Sequence, residues 1–187
     1  MSKYHHGDLK SGLIREAVQL LQEGKSFSLR GLSSGLSVSP AAVYRHFPNK
    51  DALLMAVAIE GFELLQQRFQ SIEKDDPKER LKELGIVYVD FALQFPGHYR
   101  VMFGEFQCEP EQEELLGETG RATFSALMNA CSDLADTEEV AKVMAASAWS
   151  LVHGYALLRM QRHLSAFGEP VPSIEEVLDQ FWTSVTA

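Results

Sequence analysis

Residues 28–47 read SLRGLSSGLSVSPAAVYRHF, and this stretch decides the fold. Ser28 stands in an N-cap position ahead of Leu29-Arg30-Gly31-Leu32. A serine oxygen there accepts a backbone N–H that the first helical turn cannot satisfy by itself. The helical pattern breaks near Leu36-Ser37-Val38 and restarts at Ser39. Pro40 then takes the first helical position, where its missing N–H does no harm. Phe47 precedes Pro48, which turns the chain away from α conformation. Two short helices joined by a tight turn predict a helix-turn-helix. Val43 and Phe47, four residues apart, are expected to face the core.

A short helix of this kind fits the major groove of DNA, with its N-terminal residues at the base edges. Those residues are Ser39, Pro40, Ala41 and Ala42, all small. The methyl groups of Ala41 and Ala42 suit contact with thymine methyls. Tyr44, Arg45, His46 and Lys50 are expected to bind phosphates, which position a protein without reading sequence. Ser28 offers a hydroxyl and a helix N-terminus to a further phosphate.

Outward from this stretch the periodicity is helical throughout, and no alternating apolar–polar run suggests a strand. A first helix is expected from Asp8 to about Glu23, closed by Gly24. Asn49 caps a long fourth helix to about Glu73, stopped by Lys74-Asp75-Asp76-Pro77. The fifth runs from about Pro77 to Gln94, and the sixth starts at Pro96. Acidic residues from Glu109 to Glu118 open the seventh, where negative charge favours a helix N-terminus. The eighth covers about Thr137 to His163, and the last begins near Ser173 after a Gly/Pro-rich loop. The prediction is an all-α fold of about nine helices.

The 187 residues carry a net charge of −9, unevenly placed. Residues 1–50 hold seven basic and three acidic side chains, so +4; residues 51–187 hold ten and twenty-three, so −13. A basic head on an acidic body suggests that the head meets a polyanion. At 45% apolar and 23% charged the composition is that of a folded chain rather than a disordered one. No run of 18 apolar residues predicts a membrane span, and Met1–Asp8 lack an apolar leader, so the expected location is cytoplasmic. Cys108 and Cys131 are too few for a disulfide framework.

Residues 8–70 resemble the DNA-binding head of the TetR family of transcriptional regulators. The resemblance rests on Ser28-Leu29-Arg30, on Val38-Ser39-Pro40-Ala41-Ala42-Val43-Tyr44-Arg45-His46-Phe47, and on Asn49-Lys50-Asp51-Ala52-Leu53-Leu54. In the body, Phe95-Pro96-Gly97-His98-Tyr99-Arg100-Val101-Met102-Phe103 and Ala148-Trp149-Ser150-Leu151-Val152-His153-Gly154 resemble a TetR subgroup with a Trp…His-Gly signature. One position departs from the pattern: the family places Gly where Ser37 stands, before the Val-Ser pair. The resemblance implies a homodimer whose two heads bind a palindromic double-stranded DNA operator, with Ser28, Arg30, Ser39, Pro40, Ala41, Ala42, Tyr44, Arg45, His46 and Lys50 as the DNA-binding set. It implies a repressor released by a small-molecule effector, with the fourth helix passing the change to the heads. The domains follow as residues 1–48 for the helix-turn-helix, its family head extending to about residue 70, and 49–187 for ligand binding and dimerisation. A ligand-independent regulator or an activator on the same fold is the alternative, and a helical enzyme a more remote one.

Between Val143 and Leu158 the eighth helix has no Asp, Glu, Lys or Arg, and its apolar side chains point in every direction. Such a helix needs cover on all sides. Ser147, Ser150 and Gly154 form a small-residue strip, and with Leu157 and Leu158 they are expected to form a dimer seam shared with the ninth helix. Trp149 and His153 lie one turn apart and suit either a pocket wall or a plain core. The same two readings apply to Tyr88, Phe91, Tyr99, Met102, Phe103, Phe106, Phe124 and Met128. Taken as a ligand box, they would enclose an apolar cavity with a few polar groups.

Three other signals are set aside. Gly31-Leu32-Ser33-Ser34-Gly35 matches a nucleophile elbow, which requires a preceding strand that the pattern lacks. His5, His6, His98, His153 and His163 have no metal-ligand spacing, so neither metal nor cofactor is expected and the chain is not read as an enzyme. The two cysteines are read as packing rather than as a redox sensor.

Overall fold

The computed structural model describes residues 9–107 and 110–185, apart from the side chains at 111, 112 and 182–185. Nine α-helices and no strand occur among the described residues. They are α1 (Leu9–Gln22), α2 (Leu29–Gly35), α3 (Pro40–His46), α4 (Lys50–Gln70), α5 (Pro77–Gln94), α6 (Pro96–Met102), α7 (Pro110–Ser132), α8 (Glu138–Met160) and α9 (Ile174–Val185). A 3-10 turn at His163–Phe167 follows α8. Cys108 and Asp8, both used in the sequence reading, lie outside the described residues.

The helix starts are set by side-chain caps. Ser28 Oγ accepts from the Gly31 N–H and Ser39 Oγ from the Ala42 N–H, at 3.1 and 3.2 Å. Asn49 Oδ1 accepts from the Ala52 N–H, and Asp76 Oδ1 accepts from both the Lys78 and Glu79 N–H groups. At α9 the Glu176 N–H donates to Ser173 Oγ and the Ser173 N–H to Glu176 Oε2, a reciprocal capping box.

Two helix ends close with the same pair of backbone bonds. After α1, the Lys25 N–H reaches Leu20 O and the Gly24 N–H reaches Leu21 O, with Gly24 at φ 70°. After α2, the Val38 N–H reaches Ser33 O and the Ser37 N–H reaches Ser34 O, with Ser37 at φ 55°. Both are Schellman closures, whose left-handed residue is ordinarily glycine. The serine at the second keeps the turn but bears a Cβ in a crowded conformation.

The helices pack into two compact units. The first comprises residues 1–63 and 95–120, the second residues 64–94 and 121–187, so α4 and α7 contribute to both. This division by packing is a different one from the functional split placed at residue 48. In the first unit α1, α2 and α3 enclose a core of Leu13, Leu32, Val43, Leu53, Val57 and Val101. α6 belongs here because it packs on α1. A Cβ at Gly97 would lie 2.8 Å from Val18 O, so only glycine permits this approach. Arg100 Nη1 donates to Leu21 O at 3.0 Å, a second donor to a carbonyl that the Gly24 N–H already reaches. His98 is buried, with Nε2 3.0 Å from Glu60 Oε1.

In the second unit α5 packs against α8 and α9. Leu84, Tyr88, Phe91 and Ala92 of α5 and Ala145, Ala148, Val152 and Ala156 of α8 are buried. Arg80 pairs with Asp133 and Lys82 with Asp179, both on the surface. Tyr155 donates to Pro172 O at 2.8 Å and fixes the loop before α9.

Candidate nucleic-acid interface and ligand pocket

α3 is anchored by its inward residues. Val43 is fully buried and Phe47 nearly so. The opposite side carries Ser39, Pro40, Ala41, Tyr44 and Arg45 in the open, with Ala42 half-buried. Tyr44 is 45% exposed, which leaves its ring and hydroxyl accessible. Ser28 and Ser39 accept N–H bonds through their oxygens, which leaves each O–H as a donor for a phosphate.

Four of the residues picked from sequence meet around one surface groove. Ser28, Arg30, Tyr44 and Lys50 line it, together with Phe27, Leu29, Pro48 and Asn49. The groove therefore offers two cations and several hydrogen-bond donors on one side of the helix-turn-helix. Phe27 was absent from the sequence reading. Its ring lies under the Lys50 ammonium, 4.8 Å from centroid to Nζ, and holds that cation at the groove edge. An apolar residue just before an N-cap was the available signal. His46 lies elsewhere, half-buried, lining a second depression with Lys10, Met55 and Glu60.

The second unit contains an apolar cavity of about 30 Å³. Phe69 of α4 and Leu81, Leu84, Gly85 and Tyr88 of α5 form part of its wall. Phe124 and Leu127 of α7, Ala148, Trp149, Leu151 and Val152 of α8, and Leu178 and Phe181 of α9 complete it. A Cβ at Gly85 would lie 3.1 Å from Leu178 Cδ1 and Val152 Cγ1, so glycine lets these helices close on the cavity.

At one end stands a hydrogen-bonded trio. Trp149 Nε1 donates to the Tyr88 oxygen at 3.1 Å, and Tyr88 O to His153 Nδ1 measures 2.8 Å. Burial pushes the His153 pKa below its ordinary value. A neutral ring with an unprotonated Nδ1 accepts the Tyr88 hydrogen.

The structure divides the ten residues of the expected ligand box. Tyr88, Phe124 and Trp149 line the cavity and His153 stands behind Tyr88. Phe91 is fully buried and Met128 half-buried, neither in the cavity wall. Tyr99, Met102, Phe103 and Phe106 belong to the first unit, where Phe103 stacks edge-on with Tyr99 and Phe62. The reason is α6, whose packing on α1 takes these aromatics into the head. The aliphatic wall residues, Phe69 and Phe181 were missed, because a side chain lining a cavity and one filling a core look alike in sequence.

On α8 the expected seam residues share one side. Ser147, Ser150, Leu157 and Leu158 are exposed, beside Val143 at 67%. At 3.6 residues per turn they lie opposite the buried Ala141, Ala145, Ala148 and Val152. A Cβ at Gly154, in the middle of this strip, would meet nothing within 4 Å. No helix of the described residues is long and apolar enough to cross a membrane. Among them, no group of three or more His, Cys, Asp or Glu is placed to hold a metal. Burial raises the Cys131 thiol to about 11.

With this geometry in view, two family descriptions match the chain. "Bacterial regulatory proteins, tetR family" matches residues 13–57, and "Tetracyclin repressor-like, C-terminal domain" matches residues 81–181. The chain belongs to the TetR family. Its members are transcriptional regulators with a DNA-binding helix-turn-helix head, and this chain carries that head on an all-α body. It is similar to the nucleoid occlusion factor SlmA of Marinobacter nauticus, 32% identical over 100 residues and 51% of each chain. It is also similar to the HTH-type transcriptional regulator YobS of Bacillus subtilis, 32% identical over 80 residues and 42% of each. The chain thus spans about half the length of the curated relatives it matches. Among solved structures, a protein from Rhodococcus sp. RHA1 superposes with a TM-score of 0.80 at 26% identity, covering 98% of both chains. A TetR of Acinetobacter baumannii AYE, in complex with minocycline, superposes at 0.63 with 22% identity over 99% of both.

Proposed function

We propose that this TetR-family chain is a dimeric repressor that leaves a palindromic operator when a small molecule enters the cavity between α5, α7, α8 and α9. The observation that carries the reading is α3, seated on the core by Val43 and Phe47 with its Ser39–Arg45 side open. In the proposal, Ser39, Pro40, Ala41 and Ala42 read bases. Ser28, Arg30, Tyr44, Arg45, His46 and Lys50 hold phosphates. Residues 1–48 are the DNA-binding part and 49–187 the regulatory part. Ser147, Ser150, Gly154, Leu157 and Leu158 of α8, together with α9, form the seam with a second copy, which covers the open strip. Two heads then sit about 34–36 Å apart on successive major grooves. An effector weakens binding by the difference in its affinity for the two arrangements.

The minocycline-bound TetR neighbour supports a small-molecule effector. Trp149 in the wall and His153 behind Tyr88 support placement in the subgroup with that signature. The protein works in the cytoplasm, without metal, cofactor or catalysis. Fluorescence anisotropy of the full chain on a random-site DNA pool tests the reading. Binding is expected, with log affinity falling steeply with log salt as phosphate contacts release counterions. No binding at low salt would overturn it.

A further inference from the structure

We infer, resting on the cavity of the second unit as the effector site, that the effector is an uncharged, mostly hydrocarbon molecule, and that carboxylates and amines are refused. The wall argues this first by what it contains. Among the described residues lining it, none is Lys, Arg, His, Asp or Glu. An ion entering such a wall meets no counter-charge, and burying it unpaired lowers affinity on the order of a thousandfold.

The hydrogen-bonding groups of the wall argue it again. Only Tyr88 and Trp149 among the lining side chains bear N–H or O–H groups. Each has one such hydrogen: Trp149 Nε1–H donates to the Tyr88 oxygen, and that oxygen stands 2.8 Å from His153 Nδ1, which takes the Tyr88 O–H when the ring nitrogen is unprotonated. A carboxylate therefore finds no donor without breaking the trio. The surface pairs Arg80–Asp133 and Lys82–Asp179 are closed on themselves and lie outside the lining. A hydrocarbon asks for none of these groups. Each methylene it moves out of water improves affinity about fourfold.

Size adds a moving part. By a measure in which one water needs about 10–15 Å³, the cavity of about 30 Å³ has room for two. An eight-carbon molecule enters when a wall gives way. Trp149 is the wall residue turned furthest outward, at 37% exposure, against Val152 at 5% and Leu84 at 4%. Its ring rests 4.8 Å from that of half-buried Phe124, and in this proposal Phe124 is the side chain that gives way while Trp149 keeps its bond to Tyr88.

The test uses the full chain at pH 7.5 and calorimetric titration with 1-octanol, octanoate and octylammonium. 1-Octanol is expected to bind at least tenfold tighter than either ion. A Leu127→Trp variant, which fills the cavity from its half-buried side, is expected to lose that binding while keeping a cooperative melt and the parent circular dichroism spectrum. Should Leu127→Trp fail to fold, Leu151→Trp fills it from another side. Equal or tighter binding of an ion overturns the inference. So does 1-octanol binding that survives both fillers, or none up to its solubility. Operator release is scored separately. If 1-octanol binds and the DNA complex persists, the release reading fails and the effector class stands. If octanoate binds and releases DNA, the class fails and the release reading stands.

Discussion

The Lys50 ammonium lies 4.8 Å from the centroid of the Phe27 ring, at the edge of the groove that Ser28, Arg30 and Tyr44 share. The ring holds the cation where a phosphate would meet it, which lessens the freedom lost on binding. Phe27→Leu is expected to weaken DNA binding about two- to fivefold, the worth of an exposed cation–π contact. Its salt dependence should stay that of the parent. Lys50→Ala should instead lower the salt slope by about one. Anisotropy titrations at several salt concentrations separate the two, and a changed slope in Phe27→Leu would contradict the positioning role.

Ser37 sits at φ 55° in a closure that Gly24 makes without strain. Ser37→Gly removes a left-handed penalty of roughly 1–2 kcal/mol and returns part of it as unfolded-state entropy. The expected net gain is about 0.5–1 kcal/mol, seen as a melting midpoint higher by roughly 1–4 °C. A lower midpoint would mean that the serine side chain contributes something the turn geometry does not show.

His153 is held neutral by burial, so its folded pKa lies below the unfolded one. The unfolded chain then binds the extra proton first, and stability falls as pH drops through about 6.5 toward the folded value. Above that window the group has no effect. His153→Asn keeps an acceptor for Tyr88 and removes the titration. Urea midpoints from pH 8 to 5 should show a shallower acid loss in His153→Asn than in the parent. Parallel curves would rule out His153 as the source.

Gly154 has open space where its side chain would be. Gly154→Arg should leave the protomer intact, with up to about 1 kcal/mol of helix gain over glycine. In the proposed seam the same arginine faces its twin across an apolar strip. Light scattering is expected to give half the parent mass, with an unchanged circular dichroism spectrum and weakened operator binding. A dimer of unchanged mass would place the seam elsewhere.

The helices were legible because their starts carry side-chain acceptors and prolines: Ser28, Ser39-Pro40, Asn49 and Thr137 each sit within a residue of an observed start. The 3-10 turn was not, since Leu164 and Phe167 continue the spacing of α8 and nothing local marks Arg162, at φ 60°, as the break. The open side of α3 was legible because Val43 and Phe47, four residues apart, mark its buried side and leave the small residues after the Ser39 cap outside. The pocket was half legible. Trp149 and His153 are unusual on an apolar helix, whereas Tyr99 and Phe103 look the same from sequence and are claimed by α1 through Gly97.

The head unit is assembled from two separate lengths of chain. Anyone building chimeric regulators by swapping operator specificities would naturally cut after the fourth helix. That cut leaves Val101 and the Arg100 brace on the discarded side, and the transplanted head arrives with a hole in its core and without the side-chain donor at the end of its first helix. A working graft has to carry residues 95–107 along, or rebuild their footprint in the recipient.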